Sequence, residues 1–190
     1  MLGLLAPTLV AVAAAFALGG SRQGLLDGRI RGWPAAVGAF AVELALYNPP
    51  LDRQPLALQI GPWIWLASRT LLLAVLLANG LPRRGTVYWP MLVAAGGVAL
   101  NSLVIAGNGG HMPQSAAAAV AVWGANHIDP DRLQNVAPMG PDTWMPWLGD
   151  IFPEPAWLPR PNVVSIGDLA LAAGIAAWAF SFLRPSNRPS

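Results

Sequence analysis

Apolar runs long enough to cross a lipid bilayer, broken at prolines and arginines, recur along this chain and leave little room for another architecture. The first, Leu2 to Gly20, reads LGLLAPTLVAVAAAFALGG without a single charge. At about 1.5 Å per residue such a run covers a hydrocarbon core of roughly 30 Å. Composition agrees: 55% of the 190 residues are hydrophobic and 11% are charged, against about 25% charged in a soluble domain. Cysteine is absent, which excludes disulfides, thiolate metal sites and thiol catalysis and leaves helix packing to hold the fold.

The expected fold is all-α, a polytopic transmembrane bundle forming one integral membrane domain over residues 1–190, with five spans near 2–20, 34–48, 62–80, 86–107 and 163–183. No basic stretch precedes the first run, so it reads as a retained helix, not a cleaved signal. Pro34 suits the first turn of the second span, and Pro49 with Pro50 ends it. Residues 51–60 read as a brief connection holding Asp52 and Arg53, and Pro62 as the opening of the third span. Gly96 and Gly97 in the fourth would let a neighbouring backbone come close.

Residues 112–161 depart from this pattern, being rich in proline, tryptophan and acidic residues. Ser115 to Trp123 reads as a short alanine-rich helix, and Met145 to Pro159 as an irregular Trp/Pro cap. Arginines set the orientation, because cytoplasmic loops collect positive charge. The basic 21–33 loop, the Arg83/Arg84 loop and the C-terminal tail alternate with the 49–60 loop and the acidic 112–161 segment. This puts the N-terminus and the 112–161 segment outside and the C-terminus in the cytoplasm of a bacterial inner membrane. The arginines form no single basic face, so nucleic acid is not an expected partner.

Ionisable groups inside a bilayer are costly and usually face a bundle interior. Counting about 1.5 Å per residue from the outer ends of the spans puts Glu43, Asn101 and Asp168 at roughly 9 Å depth and Arg69 at roughly 12 Å, one polar layer contributed by four helices. In one reading Arg69 bridges Glu43 and Asp168 while Asn101 completes a structural clasp. In the other, two carboxylates against one guanidinium leave an excess negative charge suited to a shared proton, a cation or a cationic ligand.

Asn108, Gly109, Gly110 and His111 form a turn above that layer. Successive glycines supply a helix C-cap, or bare amides that receive an anion or a carbonyl. His111 and His127 are the two histidines, and without supporting spacing they specify no metal site. Five of the nine tryptophans, Trp33, Trp63, Trp65, Trp89 and Trp178, fit interfacial belts. Trp123, Trp144, Trp147 and Trp157 crowd the outer segment as a self-packed lid or a docking patch.

No nucleophile elbow, P-loop, HExxH or dinucleotide fingerprint occurs, and within the spans Asp168 is the sole aspartate, so an enzyme is the minority reading. Three pieces, NSLVIAGNGGHMP from Asn101, WLGDIFPEP from Trp147 and NVVSIGDLAL from Asn162, resemble a bacterial membrane family known as domain of unknown function 5317. The resemblance covers nearly the whole chain. It rests on Asn108, Gly109, Gly110, Met112 and Pro113, and on Ser165, Ile166, Gly167 and Asp168. It implies the same topology and no activity.

The leading expectation is a membrane-embedded binding or scaffold protein, an accessory subunit of a larger membrane complex whose outer cap docks or covers. The alternative is a small-solute or proton-coupled transporter, or a membrane enzyme, working through Glu43, Arg69, Asn101 and Asp168. The lipid bilayer and protein subunits are the expected partners. No pigment, quinone, lipid ligand or metal is specified by these residues.

Overall fold

The computed structural model describes residues 2–20, 30–81, 87–124, 134–158 and 161–183. Its helices are α1 (Leu2–Ala17), α2 (Trp33–Leu46), α3 (Pro55–Gly80), α4 (Trp89–Gly107), α5 (Ala116–Trp123) and α6 (Ile166–Leu183). Prolines stand in the first turn of α2, α3 and α4, where a helix has no use for the missing amide hydrogen. The expected opening at Pro62 is corrected: α3 begins a helical turn and more earlier, at Pro55, and Pro62 is buried inside it. Residues 55–60 are therefore helix, and the connection shrinks to a 3-10 turn at Leu51–Arg53. Both prolines satisfy the helix-start rule, and only the continuing apolar run separates them.

Two helices, α3 and α4, are long and apolar enough to cross a membrane, and shorter apolar stretches occur at Thr8–Ala17, Trp33–Leu46 and Ile166–Ser181. Packing runs in a definite order: α2 lies on α3, α3 on α4, α4 on α6, and α6 on α1. The α4–α6 contact is close because its residues are small. A Cβ built on Gly174 would stand 2.7 Å from the Pro90 carbonyl oxygen, and one on Gly167 2.7 Å from that of Gly97. Such backbone approach stabilises helix pairs through dispersion where lipid and side chains are equally apolar.

Between α4 and α6 the chain builds a cap. Strand β1 (Met112–Gln114) pairs in parallel with β2 (Val136–Pro138), in the register Met112 to Val136 and Gln114 to Pro138. On its other side Gln114 pairs with Asp150. Strand β3 (Phe152–Pro153) pairs antiparallel with β4 (Val163–Val164). These strands are an addition to the all-α expectation; they are too short to show a periodic pattern. The alanine-rich helix forms as expected, with the Ser115 hydroxyl accepting from the Ala118 amide at 3.3 Å and Gly124 closing it in the left-handed region. Met112 and Leu148 from the cap join Trp65, Val104 and Ile105 in one buried cluster. The cap is thereby joined to the first half of α3 and the end of α4. Trp65, expected in an interfacial belt, is instead a core residue at 8% exposure.

Candidate functional site

The proposed layer resolves into two clusters. On one side, Glu43 of α2 is buried and receives the Ser68 hydroxyl on one carboxylate oxygen and the Arg69 guanidinium on the other. The same guanidinium lies 5.7 Å from the centre of the Trp65 ring, within reach of the negative π face. Opposite charge and a hydroxyl donor offset the desolvation of this carboxylate. Among the described residues the ion pair of Arg69 is with Glu43. The expected bridge from Arg69 to Asp168 is not formed, because α4 stands between α3 and α6.

The other cluster joins α4 to the start of α6. Asn101 donates its side-chain amide to Asp168 Oδ1 at 2.8 Å and accepts from the Ser165 hydroxyl at 2.9 Å. Ser165 accepts from the Asp168 amide at 3.0 Å, and Asp168 Oδ2 accepts from the Ser165 amide at 3.1 Å. This reciprocal pair is a capping box, with aspartate at the third position, and it satisfies amides left open at a helix start. SIGD is thus a helix-starting device, and its glycine is the residue that lets Asn101 reach it: a Cβ on Gly167 would stand 2.6 Å from Asn101 Cγ.

The turn after α4 fastens the cap. Asn108 donates its side-chain amide to the carbonyl oxygens of Val104 at 2.7 Å and Trp144 at 3.0 Å, and its Oδ1 accepts from the Trp144 amide at 2.9 Å. Gly110, at φ 88°, donates its amide to the Ile105 carbonyl at 2.9 Å. A side chain there would also meet Pro62, since a Cβ would lie 2.7 Å from the proline Cβ. Gly109, at φ 67°, also takes the left-handed conformation. Of the alternatives for this turn, the C-cap is formed; the Trp144 backbone is held by the Asn108 side chain, while the Gly110 amide turns back to Ile105. His111 lies on the turn, partly exposed; His127 lies outside the described residues, as do Arg83, Arg84 and the tail.

Two functional candidates escaped sequence reasoning. Asp150 is 8% exposed and Gln114 3%, and Asp150 Oδ1 and Gln114 Oε1 are buried without a hydrogen-bond partner. Burial first, then the charge of Asp168, pushes the Asp150 carboxyl up to about 8. A buried acceptor without a donor costs about 1–3 kcal/mol, so this pair is the least satisfied part of the cap. The signal available in sequence was a glycine-aspartate dipeptide in an irregular stretch, which fixes neither burial nor neighbours.

The four cap tryptophans divide. Trp123 is half-buried, and Trp144 covers Gly107 with its ring, whereas Trp147 and Trp157 are 61% and 80% exposed. The cap therefore packs one of its indoles against the end of α4 and leaves two largely bare. A shallow groove beside it is lined by Asn108, Pro113, Pro138, Asp142 and Thr143. Among the described residues no group of three or more histidine, cysteine or acidic side chains gathers as a metal centre.

The sequence model of a family of unknown function, DUF5317, matches residues 29–180. No curated protein and no solved structure matches.

Proposed function

We infer the function from this chain's own residues, because it belongs to the DUF5317 family, whose function is unknown. The reading is a membrane-embedded binding protein, an accessory subunit that offers its cap to a partner in a larger complex. The observation that carries it is the exposure of Trp147 and Trp157 on a cap whose own backbone is fastened by the Asn108 clasp, by short strands and by Met112 and Leu148 in the core. Large aromatic surface on a rigid support is what interface hot spots use, since ordering it on binding loses little entropy.

The five-span topology belongs to the same proposal. Its support is that bulky apolar side chains stand exposed on every long helix, for example Leu9, Phe40, Trp63, Leu103 and Ile175. A helix apolar all round needs lipid or protein on its open side. The reading puts the chain in the cytoplasmic membrane of a bacterium, N-terminus and cap outside, C-terminus inside. With no native cysteine, the topology is open to single-cysteine labelling: Gly140→Cys in the cap reacts from outside and Leu81→Cys at the far end of α3 does not.

The rival reading, transport or catalysis through Glu43, Arg69, Asn101 and Asp168, has less support. Each of the four has polar partners within the helix bundle, and they fall into two groups. Purification in a gentle detergent separates the two readings. A subunit comes out in a stable assembly that Trp147→Ala or Trp157→Ala releases without unfolding the chain. Recovery alone, in wild type and variants, would remove the docking reading.

A further inference from the structure

Met112 and Gln114 alternate with Pro113 along β1, so they share one face of the strand. Met112 on that face packs on Trp65, Val104 and Ile105, which turns the face toward the outer ends of α3 and α4. Asp150 is the parallel partner of Gln114, fixed by the bonds from its amide to the Pro113 carbonyl at 2.8 Å and from the Ser115 amide to its carbonyl at 2.9 Å. Paired residues in a sheet put their side chains on the same face, so the Gln114 amide and the Asp150 carboxylate lie side by side over the helices. The next residue, Ile151, donates to the Val164 carbonyl at 3.3 Å, which brings Asp150 beside Ser165 and the start of α6.

What gathers there is mostly acceptor, the side-chain amide nitrogen of Gln114 apart. Gln114 Oε1 and Asp150 Oδ1 have no donor. Asp168 has given one lone pair of each oxygen to Asn101 and Ser165, and a carboxylate has about four such positions. The Ser165 hydroxyl is already spent on Asn101. Among the described residues neither carboxylate forms an ion pair. Two carboxyl groups and an amide oxygen, mostly buried, are a ligand set for a hard cation, which would displace the proton that folded Asp150 holds in metal-free buffer and match the two negative charges with a double positive one. The upward shift of the Asp150 carboxyl has the same origin, negative charge held out of water beside Asp168.

We propose that Asp150, Asp168 and Gln114 bind a divalent, oxygen-ligated cation of the calcium or magnesium class, which clamps the cap to the start of α6. The site is separate from the exposed tryptophans and stands whether or not they dock a partner. A cation there links β1, the 150 region and α6 through one charge centre, and water completes the coordination that three side chains begin.

The test uses the full chain in phosphatidylcholine nanodiscs, stripped of metal with a chelator that is then removed. Thermal unfolding is followed by tryptophan fluorescence while calcium chloride, magnesium chloride or sodium chloride is added at matched ionic strength. The wild type gains Tm saturably with a divalent salt and not with sodium. Asp150→Asn keeps the shape of the side chain, folds at least as well without metal, and moves the midpoint of the response at least tenfold upward. Gln114→Leu, which leaves both acids, moves it in the same direction by less. Asp142→Asn, at an exposed acid of the cap, leaves the response unchanged. The proposal is overturned if no divalent salt shifts the wild type, if sodium alone does, or if Asp142→Asn and Asp150→Asn respond alike.

Discussion

Glu43 and Asp168 are both carboxylates set into an apolar bundle, yet their surroundings solve the same problem in different ways. Glu43 sits between two helices and is neutralised by Arg69, with Ser68 on its second oxygen. Among the described residues Asp168 pairs with no cation; it holds the start of its own helix and takes an amide hydrogen from Asn101 on the neighbouring one. In the balanced pair the charges match and both carboxylate oxygens are met; what is left over is a donor, the buried Arg69 Nε–H, and not an acceptor. An unbalanced acid under a cap that adds a second acid, Asp150, has capacity left over. The difference marks the α4–α6–cap junction, not the α2–α3 pair, as the place where chemistry remains available.

The largest expected effect tests the first half of this contrast. Arg69→Met leaves Glu43 buried and unpaired and should destabilise the protein by about 3–5 kcal/mol. Glu43→Gln added to it should restore most of the loss, measured by reversible unfolding in mixed micelles. If the double variant is no better than the single, the pair is not the source of stability.

Next comes the packing that lets the second cluster exist. Gly167→Ala puts a Cβ 2.7 Å from the Gly97 carbonyl oxygen and into the Asn101 side chain, and should cost about 1–3 kcal/mol. Gly96→Ala, on the open side of α4 with nothing within 4 Å, should be neutral or slightly stabilising. Equal effects at Gly96 and Gly167 would mean that α4 and α6 do not meet as described.

The smallest effect is one of pH. Burial and the charge of Asp168 push the Asp150 carboxyl up to about 8 in the folded chain, from the ordinary 3.8 of an exposed aspartate, so the folded chain holds the extra proton. Its contribution to stability is complete below the unfolded value and is lost as pH rises through the folded one. In metal-free buffer, raising the pH from 7 to 8 should lower stability by on the order of 1 kcal/mol, and Asp150→Asn should remove that slope. A stability that rises over the same interval in wild type would contradict the burial of this acid.

Much of this was legible in the sequence, and the failures have physical causes. Apolar runs located the helices and Pro34 marked the start of α2, because burial and a missing amide hydrogen are local properties, but the same proline rule put the start of α3 at Pro62 in place of Pro55. The Asn108 turn was legible as a helix end for the same reason. Counting residues along a helix gives only one coordinate: it put Arg69 and Asp168 at similar heights and said nothing of direction around the bundle. Their separation follows from α4 lying between their helices. Trp65 was misassigned because indole suits an interface as well as a core, and only the arrival of Met112 and Leu148 from the cap decides. Asp150 was overlooked because its burial depends on pairing with Gln114, a partner 36 residues away by number, and no periodicity announces such a contact.

The central claim is that the buried polar groups form two independent sets. A double-mutant cycle between Arg69→Met and Asp168→Asn measures it most directly, since the two changes fall in different sets. The account predicts additive losses, with a coupling within about 0.5 kcal/mol. A coupling of 1 kcal/mol or more would mean that Arg69 and Asp168 act on one another, and that the single charged layer is real.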